Sequence, residues 1–354
     1  MAQPDNYFGS VPLVEITRGA MTESLHRGFI VAVDGAGEII AALGNLETRT
    51  WFRSAAKPFQ TIPILTSGAA DHFQLTTKEL AAISASHSGE DIHVEIVNSI
   101  LAKAGFAEHD LLCGAHAPFD ETAAAKLIAE NRQPQTLHNN CSGKHAGMLA
   151  FAKFLGEPTT DYINPEHTIQ RRIRQVLARF ADMPVEEIQI AVDGCSAPVF
   201  GLSIAAMAGS YARLMAVRQT DIESDLASAA ERVVAAMIEF PELVAGSRGR
   251  LDTDLMRAAR GQILSKVGAE GVQLLGVKSC PQYPKGLGIA IKIEDGDIRR
   301  ARDPVVIETL RQLGLLDEDQ LTQLSDSPLA AYRRQTVFNH RQIEVGEVRT
   351  CFQL

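Results

Sequence analysis

Ser54 and Lys57 stand three residues apart in the stretch Arg53-Ser54-Ala55-Ala56-Lys57-Pro58-Phe59-Gln60. Three or four residues close one helical turn, so the two side chains share a face if this stretch is helical. A serine hydroxyl is a poor nucleophile until a base takes its proton. A lysine one turn away can be that base when burial or a neighbouring cation pushes its pKa down. The same S-x-x-K tetrad serves penicillin-recognising acyl-transfer enzymes. Taken alone it is weak, because a chain of ordinary composition produces such a pair by chance, and an exposed pair on a helix is the bland alternative.

Other residues add to it. Lys266-Val267-Gly268 follows in the order in which penicillin-recognising enzymes place K-[T/S]-G, with valine where those enzymes carry a hydroxyl. Ser86-His87-Ser88-Gly89-Glu90 is dense in hydroxyl groups and reads as a second hydroxyl site or as a capped loop. His87 within it fits a structural histidine better than a base. Cys141 and His145 lie four apart, a spacing that could place both on a metal, yet no C-x₂₋₄-C repeat accompanies them. Cys141 and Cys195 share a setting, Asn-Asn-Cys-Ser-Gly and Asp-Gly-Cys-Ser-Ala, each a small polar turn before an apolar run; helix N-termini favour thiolates. Cys113, Cys280 and Cys351 read as packing residues.

These groups need elements to position them. Runs at 29–33 and 38–42 flank Asp34-Gly35-Ala36-Gly37 and predict a β-hairpin. Two prolines, Pro58 and Pro63, leave the start of the helix around Ser54 open, since proline suits a first turn and not a helix interior. Periodicity predicts helices over 76–84 (capped by Thr76 or Thr77), 91–104, 148–155, 202–207, 221–240, 255–261 and 317–324. Another is expected over 304–315, with Asp303 as N-cap and Pro304 in the first position. Residues 244–253 read as an irregular loop. Strands are expected over 271–277 and 286–293, with a last short pair at 342–345 and 348–352. The result is an α/β (α+β) chain in which a mixed sheet is assembled from both ends around a helical block. No repeat or composition shift marks a linker, so residues 1–354 read as a single domain. Its soft subdivision is a sheet region at 1–60 and 255–354 and a mostly helical region at 61–254.

Composition sets outer limits. The chain has 354 residues, 45% hydrophobic and 22% charged, and can bury a large core. A net charge of -9 argues against non-specific nucleic-acid binding, which needs clustered cations. No apolar run reaches the roughly 18 residues needed to cross a bilayer. The first residues show neither a basic nor an apolar leader segment, and five cysteines form no disulfide framework. A cytoplasmic location with reduced thiols is the expectation.

Together, the segments 53–60, 86–90, His138-Asn-Asn-Cys-Ser-Gly-Lys-His-Ala-Gly-Met148, Asp193-Gly-Cys-Ser-Ala-Pro198 and Arg250-Leu-Asp-Thr253 resemble the asparaginase II family, the inducible, thermolabile type of L-asparaginase. The motifs run in the family's order from about residue 50 to 270. The resemblance implies a fold like the serine β-lactamases, penicillin-binding proteins and serine-dependent glutaminases, and a homodimer. It implies two Ser-Lys tandems, Ser54 with Lys57 and Ser86 with Lys266. It also implies a zinc ion bound by Cys141, Lys144 and Cys195, an unusual set because the lysine must be neutral to bind. Arg53, His145 and Asp193 fall where the family places groups around the substrate. The implied reaction is hydrolysis of the side-chain amide of L-asparagine to L-aspartate and ammonia. Ser54 attacks and Lys57 moves the proton, while zinc orients the substrate and leaves water unactivated. A glutaminase, or a β-lactamase-like or peptidase-like serine hydrolase, would share the serines and lysines without needing the cysteines. A non-catalytic zinc or amino-acid sensor would keep the cysteines without turnover.

Overall fold

The computed structural model describes residues 8–316, 329–333 and 335–354. The helix expected over 317–324 lies outside them.

The chain's two ends meet in one sheet. Strands β1 (Val11–Arg18), β2 (Met21–Asp34) and β3 (Ile39–Leu43) come from the N-terminal end. β7 (Ile263–Gly268), β8 (Val272–Val277), β9 (Leu287–Ile293), β10 (Gln335–Phe338) and β11 (Glu344–Thr350) come from the C-terminal end. They run in the order β10-β11-β1-β2-β9-β8-β7, with β3 pairing β2. Every pairing is antiparallel where the sequence allowed a mixed sheet. A second, three-stranded antiparallel sheet joins β4 (Arg49–Trp51), β6 (Pro198–Ser203) and β5 (Gln189–Val192). The fold is a mixed α/β arrangement, as expected.

The hairpin at β2 and β3 forms where the turn residues predict it. Asp34 Oδ1 accepts from the Ala36 and Glu38 amides at 2.8 and 2.9 Å, closing the turn. β8 and β9 also lie where expected. Their residues are buried throughout, because helices cover one face and the C-terminal elements cover the other.

Several boundaries move, each for a physical reason. The helix expected over 148–155 runs from Ser142 to Phe154, with Cys141 as N-cap. Its first turn looks like loop in sequence because its polar side chains point into the protein and not to solvent. The run 202–207 splits between the end of β6 and the helix Ile204–Met215, since Ser203 caps that helix by accepting from the Ala206 amide. The helix expected at 255–261 is Leu251–Ala258, so the end of the irregular 244–253 stretch is already helical. Asp303 does not cap its helix. Asp297 accepts from the Arg300 and Ala301 amides, nucleating a π-turn at Ile298–Arg302 that feeds Asp303–Gln312. The expected strand pair at 342–345 and 348–352 is a single strand, β11, which pairs with β10 and β1 and not with itself. β1, β4, β5, β6 and β7 are not apparent as strands in the sequence.

The helix Lys57–Thr66 is buried on almost every side, packed among Ser224–Glu239, Thr168–Ala181 and Ser142–Phe154. A helix so enclosed needs no apolar stripe, and its only charge, Lys57, lies at its first residue inside the protein. That placement organises the site.

Candidate active site

Ser54 lies on a 3₁₀ turn, Arg53–Ala56, that leads directly into the Lys57–Thr66 helix. Pro58 is tolerated there because the first turn of a helix needs no amide donors. Arg53 adopts φ +51°, a left-handed conformation disfavoured for a residue with a side chain. The turn is held from behind by the Tyr211 hydroxyl, which donates to the Ala55 carbonyl at 2.8 Å. Its front meets the end of β7: a Cβ on Gly268 would lie 3.1 Å from the Phe52 carbonyl oxygen.

Ser86 follows the Thr77–Ile83 helix on a buried, irregular segment. Its hydroxyl lies between two lysines, 3.0 Å from Lys57 Nζ and 2.9 Å from Lys266 Nζ. Lys57 Nζ also donates to the Ala85 and Asn140 carbonyls. Lys266 Nζ donates to its neighbour's carbonyl, Val267, at 3.0 Å. Both lysines are buried. Burial lowers the pKa of Lys57, and the Lys144 charge pushes the same way against the thiols. Burial holds Lys266 well below the ordinary lysine range, reinforced by the charge of Lys57. A neutral Lys57 has two N–H groups for its two carbonyls and one lone pair left for the Ser86 hydroxyl. Ser54 is half-buried, and its hydroxyl has no hydrogen-bond partner among the described residues.

Ser54 and Ser86 open onto a cleft of about 640 Å³, bounded by the 119–122 and 248–252 segments, the end of β7 and the π-turn. Asp252, from Arg250-Leu-Asp-Thr253, pins the outer edge of β7 there. It accepts from the Val267 amide at 2.9 Å, Ser265 Oγ at 2.7 Å and Gln273 Nε2 at 2.8 Å. In sequence this residue stands out only as part of a motif. Its role depends on contacts across a sheet edge, which no local pattern signals.

His87 is structural. Its Nε2 meets Ser142 Oγ at 2.9 Å, its Nδ1 accepts from the Gly89 amide, and its ring stacks on His93 at 4.8 Å. Cys113 packs in the core as expected, where burial raises its thiol to about 12. Cys280 is only half-buried and Cys351 is exposed, so neither is a core-packing residue.

Behind Lys57 lies a second cluster. Lys144 Nζ is 2.9 Å from Cys195 Sγ, and the buried Cys141 thiol lies beside Cys195 and Lys57. The bond from Cys195, joined by the charges of Lys57 and Lys144, overcomes burial and holds the Cys141 thiol well below its usual range. The bond to Cys141 and burial raise Cys195. Burial opposes charge on Lys144, but the two sulfurs outweigh it and raise its pKa. Two sulfurs and an amine gathered in a buried site form a soft donor set that suits zinc. Among the described residues no three His, Cys, Asp or Glu side chains cluster for a metal, so such a site depends on Lys144.

Arg53, His145 and Asp193 do not line the cleft. Arg53 Nε donates to Asp193 Oδ1 at 2.9 Å on the flank of the Ser54 turn. His145 is buried, its Nδ1 2.8 Å from the Tyr162 hydroxyl and its Nε2 without a partner among the described residues.

The family model for L-asparaginase II matches residues 14–350. The chain belongs to the L-asparaginase II family. No curated protein matches it. Among solved structures, this asparaginase II chain is similar to the native form of Mglu (16% identity, TM-score 0.41), covering 83% of this chain and 66% of that one. It is also similar to a probable glutaminase from Bacillus subtilis complexed with 6-diazo-5-oxo-L-norleucine (14% identity, TM-score 0.39), covering 81% and 84%. A third is a beta-lactamase from Burkholderia ambifaria (14% identity, TM-score 0.37), covering 81% and 92%. Membership of the family supports amide hydrolysis as the chemistry of the cleft. Among the described residues no helix is long and apolar enough to cross a membrane.

Proposed function

We propose that the protein is an L-asparaginase that cleaves the side-chain amide of L-asparagine through an acyl-enzyme on Ser54. The observation that carries the reading is the buried Lys57–Ser86–Lys266 chain of contacts at 3.0 and 2.9 Å beneath a serine that faces an open cleft. Ser54 Oγ forms a bond to the amide carbon as its proton passes to Lys57. Lys57 then protonates the leaving nitrogen, which departs as ammonia. Water adds to the ester, giving up its proton through Lys57, and L-aspartate leaves with Ser54 restored. Burial favours a neutral Lys57, and Ser86 and Lys266 complete the proton path. The amides of Ser54 and Ala269, both residues of the cleft lining, have no carbonyl acceptor among the described residues and suit the developing oxyanion.

Cys141, Lys144 and Cys195 would hold zinc. When bound it supplies fixed positive charge beside Lys57 and a Lewis-acidic site for a polar group of the substrate. Arg53, Asp193 and His145, expected around the substrate, lie outside the cleft lining, so this reading gives them no direct contact with a substrate held there. The active protein is taken to be a homodimer, which sedimentation velocity tests by mass.

One observation favours a second reading. Ser86, not Ser54, makes the hydrogen bond to Lys57, so Ser86 could be the nucleophile. Its 3% exposure argues against it. Ammonia release from L-asparagine, with L-glutamine and a chromogenic β-lactam alongside, decides both points. Ser54→Ala is expected to lower kcat by about 10³-fold or more at unchanged thermal stability. Near-native turnover in Ser54→Ala, lost in Ser86→Ala, would transfer the role to Ser86.

A further inference from the structure

Four arginines line the cleft: Arg248, Arg250, Arg299 and Arg302. The protein neutralises two of them itself. Arg248 Nη2 meets both carboxylate oxygens of Asp120 at 3.0 and 2.9 Å. Arg302 is buried against Asp303, Nε to Oδ1 at 2.8 Å. Arg299 is exposed at the mouth.

Arg250 is different. Its Nη1 donates to Ser88 Oγ at 2.7 Å and to the Ala245 carbonyl at 3.0 Å, and its Nη2 donates to the Ser86 carbonyl at 3.0 Å. All three acceptors are neutral. Among the described residues no carboxylate forms an ion pair with Arg250, and its Nε has no partner. Of the other acids of the cleft, Asp120 is committed to Arg248, Asp303 to Arg302, and Asp252 to Ser265, Gln273 and the Val267 amide, while Glu121 is exposed to solvent. A half-buried guanidinium without a carboxylate is costly to keep beside the reacting serines. Three hydrogen bonds fix its plane and leave two of its five N–H donors free, in a group whose geometry matches a carboxylate.

We infer that Arg250 is the carboxylate-binding residue of this cleft, taking the α-carboxylate of a free amino-acid amide and so fixing its side-chain amide against Ser54. The inference rests on the amidohydrolase reading and narrows it. Substrates are free amino acids, and an asparagine whose α-carboxyl is tied up in a peptide bond is excluded.

The test removes the carboxylate from the ligand and the arginine from the protein in turn. Rates are compared for L-asparagine and 3-aminopropanamide, which is asparagine with hydrogen in place of the carboxylate. Wild type, Arg250→Gln and Arg299→Gln are assayed, with Arg250→Lys as a milder substitute if Arg250→Gln does not fold. Arg250→Gln is expected to lower kcat/KM for asparagine by about 10- to 100-fold, the loss typical of a charge-assisted pair. It should leave 3-aminopropanamide within about threefold, and Arg299→Gln should move neither. An equal fall for both ligands would mean that Arg250 only holds the Ser86 carbonyl, and the inference would be wrong. It would be equally wrong if Arg299→Gln showed the selective loss. If the wild type hydrolyses neither ligand, the amidohydrolase reading fails, and calorimetry with L-aspartate decides the inference separately. Binding weakened at least tenfold in Arg250→Gln sustains it; unchanged binding, or none to the wild type, overturns it.

Discussion

Lys266 shows at the scale of one residue how burial makes chemistry. An exposed lysine is charged at neutral pH and useless as a base. Lys266 is fully buried, and burial together with the charge of Lys57 holds it well below the ordinary range. The sign for stability follows. Between the folded pKa and the ordinary value near about 10.4, the unfolded chain carries a proton that the folded chain does not, so stability rises with pH in that window. Replacing Lys266 with Met removes this dependence. The stability difference between Lys266→Met and wild type should therefore shrink by up to about 1.4 kcal/mol for each pH unit of rise within the window, as read by urea unfolding between pH 7 and 9.5. A pH-independent difference would show that Lys266 stays charged. The serines and lysines of the site are legible in sequence because nucleophile and base have few possible residue types. Their partnership is not: Ser86 and Lys266 are 180 positions apart, and a resemblance, not spacing, joins them.

At the scale of elements, two helices must approach unusually closely to bring the serine segment against the cysteine cluster. The Ser142–Phe154 helix crosses Thr77–Ile83 at Gly143, where a Cβ would stand 2.2 Å from the Ala82 carbonyl oxygen. Backbone cannot give way as a side-chain tip can. Gly143→Ala should therefore force the helices apart, costing about 1–3 kcal/mol in chemical unfolding and lowering turnover by displacing Ser86 from Lys57. Unchanged stability and rate would mean that this crossing does not set the site. In sequence the helix shows only from residue 148, because its polar first turn breaks the apolar period. That turn is polar because Lys144 and its neighbours meet the sulfurs inside the protein. The hairpin at 34–38 is legible because turn chemistry is local, and Asp34 closes it with its own side chain.

At the scale of the molecule, the acidic chain folds its two ends into one sheet and places the candidate site at the edge strand β7. The cysteine cluster sits behind Lys57. If it holds zinc, purified protein should carry about one zinc per chain, and Cys195→Ser should lose it in elemental analysis. Stripping the metal should raise KM for asparagine more than it lowers kcat, because the proposed mechanism takes its nucleophile from Ser54 and not from a metal-bound water. Zinc content unchanged in Cys195→Ser would displace the proposed ligand set.

The sequence by itself determined what is local: the S-x-x-K pair, a threonine cap at 76 or 77, the hairpin turn, the strands expected over 271–277 and 286–293, and the motif order that marks the family. These depend on residue type and near neighbours. Only the tertiary structure decided that Ser86 lies between Lys57 and Lys266, that Asp252 pins the β7 edge, and that Arg250 faces the cleft with no carboxylate paired to it among the described residues. Each of these is a contact between segments far apart in the chain, made selective by burial. No periodicity encodes which distant polar group will be left to satisfy another once water is excluded.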